Sequence, residues 1–242
     1  FFMKNFIRDI TEKYGDDFYV FGEFWNSDET ANNDYLENID YRFDLVDVKL
    51  HQNLFDASKS GADYDLRTIF DQTLAKNHPE SAVTFVDNHD TQRGQALEST
   101  VEEWFKPAAY SLILLREAGL PCVFYGDYYG ISGEFAQESF QELLDKLLDI
   151  RLNLAYGEQT DYFDDANCIG WTRQGKDDDG QPIAVLISND QATSKSMFVG
   201  PEWAGREFSD YLGNSSQIVT IDDQGWGEFP VEEKSVSVWS VR

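Results

Sequence analysis

Three short apolar runs in this chain each end in a carboxylate. Val83, Thr84, Phe85 and Val86 lead into Asp87, Asn88, His89 and Asp90; the run 18–21 is followed by Gly22, Glu23, Phe24 and Trp25; the run 121–125 gives way to Gly126 and Asp127. Carboxylates beside an imidazole and an indole are groups from which acid–base work on a bound substrate is built. Runs this short, rich in β-branched and aromatic residues and bounded by Gly or Pro, read as buried strands. Strands that release their ionisable groups at a common end describe the mouth of a parallel barrel, where functional side chains come from the C-terminal ends of several strands. From composition alone, simpler readings exist: Glu23 as a strand-end side chain paired with a surface cation, and His89 as a structural imidazole. The placement of His89 between Asn88 and Asp90 at a strand exit favours function.

The elements that must position these groups follow in order. Phe2, Phe6 and Ile10 stand at i, i+4 spacing with Lys4, Arg8 and Asp9 between them, which predicts an amphipathic helix over 1–10 closed by Gly15. The polar stretch 26–34 suits a loop over the mouth. A strand near 41–46, a helix near 48–58, a turn at 61–65 and a helix over 66–76 broken by Pro79 are expected next. An apolar helix over 107–117, a strand over 122–125, a glycine-rich loop to Gly133 and a helix over 139–154 complete this part. Beyond Gly157 the pattern changes to short apolar runs (168–171, 183–187, 197–199, 218–221, 236–239) between turn clusters, which predicts an antiparallel β domain. Strand–helix units before 157 number about four, against eight in a complete (β/α)8 barrel. The expected fold class is therefore α/β: the second half of such a barrel over 1–156, then an all-β antiparallel Greek-key sandwich over 157–242.

Composition limits the partners. Asp and Glu total 45 against 19 Lys and Arg, a net charge of −26, which argues against nucleic acid and anionic membrane surfaces. A hydrophobic fraction of 41% is enough for a core, and 15% aromatics supply both packing and flat platforms. Cys122 and Cys168, each within an apolar run, read as two buried free thiols, so no disulfide framework is implied and a reducing compartment is permitted. No run reaches the roughly 20 apolar residues that span a bilayer.

Phe85-Val-Asp-Asn-His-Asp90 with Thr91 and Gln92, together with Phe21-Gly-Glu-Phe-Trp25, resembles two signature strands of the alpha-amylases, the fifth and seventh of their barrel. The resemblance continues through Trp104-Phe-Lys-Pro107, Phe124-Tyr-Gly-Asp127, Asp161-Tyr-Phe-Asp164, Gly170-Trp-Thr-Arg173 and Gly225-Trp-Gly-Glu-Phe229. It thus spans almost the whole chain and looks most like the bacterial liquefying enzymes and their intracellular relatives. It implies retaining hydrolysis of α-1,4-glucosidic bonds in starch, glycogen or maltodextrins. Glu23 would be the acid/base and Asp90 the carboxylate that assists charge development at the sugar. His89 would bond a sugar hydroxyl, Gln92 would serve the same substrate-binding loop, and Trp25 would either stack on a glucose ring or pack beneath the mouth. As an acid, Glu23 would need burial beside Trp25 or a second carboxylate to hold its proton.

The family's nucleophile is an Asp at the end of the fourth strand, in a motif that this sequence does not contain. The chain is thus expected to begin in the helix after that strand and to be inactive by itself. The resemblance allows calcium in the complete enzyme. At a calcium site that bridges barrel and β domain in some relatives, the matching positions are Ala62, Tyr64, Ala166, Asn167 and Asn189, with Asn where acidic ligands would be expected. The turn at 177–180 is acidic but lacks the spaced ligands of a calcium loop. Competing expectations are a related α-glucan transglycosylase, an exo-type maltooligosaccharide hydrolase, or a non-catalytic glucan-binding fragment. A cytoplasmic location is expected, with secretion as the alternative.

Overall fold

The computed structural model describes residues 2–15, 17–176 and 180–242. Phe1, Asp16 and the acidic positions 177–179 singled out in the sequence lie outside them. Four parallel strands, β1 (Phe21–Gly22), β2 (Asp44–Val46), β3 (Ala82–Phe85) and β4 (Leu120–Cys122), form an open sheet in sequential order. The helices between and around them are α1 (Phe2–Tyr14), α2 (Glu29–Asn38), α3 (Val48–Ser60), α4 (Leu74–Asn77), α5 (Lys106–Leu115), α6 (Tyr125–Tyr129) and α7 (Gln141–Asn153). This is half the strand complement of a (β/α)8 barrel.

After α7 the chain is antiparallel. Strands β5 (Gln159–Tyr162), β6 (Cys168–Arg173), β7 (Ile183–Ser188), β9 (Glu207–Asp210), β10 (Ile218–Thr220) and β12 (Ser235–Val241) make a six-stranded sheet in the order β10-β9-β12-β7-β6-β5. A ribbon of β8 (Thr193–Phe198) and β11 (Trp226–Val231) covers one face of it. The two-residue alternation of β7 explains the layering. Ile183, Val185 and Ile187 join the core shared with the helices, whereas Ala184 and Leu186 point into the sandwich with Met197, Phe208, Phe229 and Trp239. Both faces of β7 are thus covered, which is why it reads as an unbroken apolar run.

Helix α5 ties the halves together. It touches β3 and β4 on one side and β12 on the other, and is apolar nearly all round because it has almost no solvent face. Arg116, just beyond it, reaches the antiparallel sheet, placing a bidentate pair on Asp161 (2.8 and 2.8 Å) and its guanidinium over the rings of Phe70, Phe163 and Trp171.

Several elements differ from the sequence expectations. The stretch 26–34 is not simply a loop: Asp28 accepts from Ala31 N at 2.8 Å and starts α2, whose buried side, Asn32 and Leu36, is too narrow to show as periodicity. The helix expected over 66–76 breaks. The Asn53 amide donates to the carbonyls of Ile69 and Asp71, Gln72 takes a positive φ of 62°, and Thr73 caps the separate turn of α4. Helix α1 buries Ile7, while Phe2 and Phe6 stack on each other in solvent. Strand β4 lies upstream of the expected 122–125, and Tyr125 already belongs to α6. Of the four parallel strands β3 alone is buried throughout; β1 and β4 each bond one neighbour, leaving Phe21 and Leu120 exposed. Cys122, on β4, is for the same reason exposed and only Cys168 is buried, correcting the expectation of two buried thiols.

Candidate active site

Parallel pairing of β1 with β2, β2 with β3 and β3 with β4 sets the exits of all four strands at one end of the sheet. Glu23 leaves β1 there. A Cβ on Gly22 would stand 2.6 Å from the Phe43 ring, so glycine is what lets the backbone lie so close to that ring just before Glu23. Glu23 itself is exposed rather than buried beside Trp25, because among the described residues its strand forms the open edge of the sheet. Trp25 is half-buried and reaches inward instead, its ring 6.2 Å from that of Phe85 on β3 and 6.1 Å from that of His51 on α3. In these contacts it packs beneath the mouth.

The exit of β3 is a turn held by its own side chains. Asn88 Oδ1 accepts from the backbone N–H groups of Asp90 and Thr91, both at 2.9 Å. Thr91 Oγ1 accepts from Asn88 N at 2.9 Å and donates to Asp87 Oδ1 at 3.2 Å. Gln92 Nε2 donates to the His89 carbonyl at 3.0 Å, so its amide supports the turn. These bonds leave the side chains of His89 and Asp90 directed outward, with Nε2 and Oδ2 3.6 Å apart. A turn so over-determined holds the two side chains it carries in place.

Beneath the turn lies a polar network the sequence did not disclose. Lys106, fully buried, sits 3.0 Å from Asp87 Oδ2 and bonds Asp127 and Gln137. Asp127 also accepts from Tyr110 Oη at 2.5 Å and from Gln137 Nε2 at 2.7 Å. Burial raises the Asp87 carboxyl to about 6 against the pull of the Lys106 ammonium, and the neighbouring Asp127 adds to the rise. Asp87 and Asp127 therefore brace the strand ends and face no solvent. The one visible signal was a lysine opening an otherwise apolar helix.

His51 was also missed, since it occupies the buried face of an ordinary amphipathic helix. Its Nδ1–H donates to the Val86 carbonyl at 2.7 Å, its Nε2 faces Ser99 Oγ at 2.8 Å, and its ring stacks on Phe85 at 5.0 Å. Burial lowers its pKa to about 4, so the ring is neutral near pH 7.

A cleft of about 580 Å³ opens at this end between Trp25, Asn26, His51, Gln52, Glu98 and Ser99. A larger cavity, about 830 Å³, lies at the opposite end of the sheet beside Glu80, Arg116 and Leu120. Barrel chemistry sits at the C-terminal ends of strands, the end at which the smaller cleft opens; of the candidate residues Trp25 lines it, while Glu23, His89, Asp90 and Gln92 do not. Among the described residues no group of three or more His, Cys, Asp or Glu could hold a metal ion. At the bridging calcium positions, Asn167 and Asn189 turn amide N–H groups toward the carbonyls of Gly61, Ala62 and Tyr64.

The chain matches the family model for the alpha amylase catalytic domain over residues 1–204 and that for the alpha-amylase C-terminal domain over 183–240. It is 46% identical to a glucan 1,4-alpha-maltohexaosidase of Bacillus sp. (strain 707), covering 98% of this chain and 46% of that protein. It is 37% identical to a cytoplasmic alpha-amylase of Escherichia coli (strain K12), covering 99% of this chain and 50% of that one. The crystal structure of an alpha-amylase from Geobacillus thermoleovorans complexed with acarbose superposes with a TM-score of 0.67 at 20% identity, over 99% of this chain and 56% of that one, and so shares the fold. The chain spans about half the length of the curated relatives it matches.

Proposed function

The chain belongs to the alpha-amylase family, and on that premise we propose that it carries the acid/base and charge-stabilising carboxylates of a retaining endo-hydrolase of α-1,4-glucans such as starch, glycogen or maltodextrins. Glu23 protonates the leaving glycosidic oxygen and then, as carboxylate, takes a proton from the water that releases the glycosyl-enzyme. Asp90 meets the positive charge that develops at the sugar ring, His89 bonds a ring hydroxyl, Trp25 borders the bound glucan from below, and Gln92 holds the loop. The covalent step belongs to an Asp in a motif these 242 residues do not carry, so the chain alone is expected not to turn over. The observation that supports this reading is the self-braced turn 87–92, which presents His89 and Asp90 at the same end of the parallel sheet as Glu23.

The division we propose is a barrel part over 1–156 and a β-sandwich over 157–242, since α7 ends at Asn153 and β5 begins at Gln159. Any calcium in the complete enzyme would be held mainly by residues outside this chain. A cytoplasmic location draws support from the Escherichia coli relative, with secretion as the alternative; among the described residues no helix is long and apolar enough to cross a membrane.

The test is product analysis. A protein joining these residues to the nucleophile-bearing segment should cut a long α-1,4-glucan into mixed oligosaccharides. Release of one oligosaccharide alone would favour the exo-type reading, which the maltohexaosidase relative supports. Chains longer than the substrate would mark transfer, and tight binding without products would mark a glucan-binding module.

A further inference from the structure

The turn at 61–64 offers three backbone carbonyl oxygens, those of Gly61, Ala62 and Tyr64, to the edge of the antiparallel sheet where Asn167 precedes β6 and Asn189 follows β7. Converging carbonyls create a negative spot that is satisfied by a hard cation or by N–H donors. Here both hydrogens of each amide are engaged. Asn189 Nδ2 donates to Gly61 O and Tyr64 O, both at 2.8 Å, while Asn167 Nδ2 donates to Ala62 O at 2.8 Å and to Asn189 Oδ1 at 2.9 Å. The backbone joins in: Leu66 N donates to Ala166 O at 2.8 Å and Asn189 N to Asn167 O at 3.2 Å. Asn189 is completely buried, so its amide cannot turn to bulk solvent.

The opposite setting of the Asn189 amide would face its oxygen with two carbonyl oxygens, an arrangement that only an intervening cation would make tolerable. Such a cation would find neutral oxygens alone. Of the carboxylates that flank these positions in sequence, Asp165 accepts from the Asn167 backbone N–H, Asp65 pairs with Arg67, and Asp63 within the turn is exposed. Calcium affinity falls with the number of charged ligands, so these residues do not fit the ion that the family resemblance implies at this place.

We propose that the junction between the 61–64 turn and the antiparallel sheet is a metal-independent amide clamp, in which the N–H groups of Asn167 and Asn189 occupy the role of a divalent cation. The geometry remains cation-shaped, with three carbonyls and two side-chain positions. Restoring two carboxylates should therefore turn it into a calcium site.

The experiment compares thermal unfolding of the 242-residue chain in excess EDTA and in millimolar calcium chloride, with magnesium chloride as control. The native chain and Asn189→Ala should respond to calcium alike, because any response comes from the acidic surface they share; Asn189→Ala should melt lower in every buffer. Asn167→Asp/Asn189→Asp should melt several degrees below the native chain in EDTA and regain that loss in calcium but not magnesium. If the double variant does not fold without calcium, Asn167→Asp alone should show a smaller calcium-specific gain. A calcium-specific rise in the native chain that Asn189→Ala abolishes would overturn the proposal, as would Asp variants indifferent to calcium.

Discussion

The Lys106 ammonium lies 3.0 Å from Asp87 Oδ2 with both side chains 1% exposed, and the same ammonium bonds the equally buried Asp127. One cation thus ties the ends of β3 and the start of α6, directly under the turn that carries His89 and Asp90. Removing one partner of a buried ion pair strands the other charge without solvent, at a cost of about 3–5 kcal/mol. Lys106→Met should lose stability on that scale in urea unfolding at neutral pH. Adding Asp87→Asn should restore part of it, since a stranded carboxylate is the cause; a loss below about 1 kcal/mol would show that water or rearrangement replaces the lysine.

His51 predicts an acid-sensitive fold. Its folded-state pKa, about 4, lies below the ordinary 6.5, so the unfolded chain binds more protons between these values and stability falls as pH drops through that window. Asp47 and Asp87, both raised by burial to about 6, act oppositely: their contribution is full at low pH and is lost as pH rises from about 4 to 6. The total profile mixes the two. The difference between the native chain and His51→Gln isolates the histidine, and the native advantage should shrink by up to about 3 kcal/mol between pH 7.5 and 4.5. A pH-independent difference would mean that the fold leaves the His51 pKa where it stands in the unfolded chain.

Asn88 tests whether the turn is what holds Asp90. Asn88→Ala removes two accepted backbone hydrogen bonds and should cost about 1–2 kcal/mol, whereas Asn88→Asp keeps the acceptor and should stay closer to the native chain. In the assembled enzyme, Asn88→Ala should lower kcat more than it raises KM if Asp90 has the proposed role of meeting developing charge.

The cysteines should separate by rate. Exposed Cys122 should react with an aromatic disulfide reagent in the native chain, while Cys168, buried and raised to about 11, should react only on unfolding. Equal rates would contradict the covered position of β6.

Where the sequence was legible, periodicity and covalent constraint agreed. The run 83–86 read as a buried strand, and the apolar helix expected over 107–117 packs against the parallel sheet as α5. The turn 87–92 was recognisable because Asn, His and Asp follow an apolar run. What escaped depended on distant partners. Asn53 breaks the helix expected at 66–76 from another element, Asp28 starts α2 without an apolar stripe, and the Lys106 network joins residues from β3 to Gln137. The exposure of Glu23 and Cys122 depends on sheet edges, which no local pattern announces.

The most direct measurement is the turnover of a blocked maltoheptaose by Glu23→Gln in the protein joined to its nucleophile-bearing segment, compared with the parent. Loss of the proton donor should lower kcat by roughly 10²–10⁴-fold with little change in KM. A variant that hydrolyses the substrate at near-parental rates would show that the acid lies elsewhere.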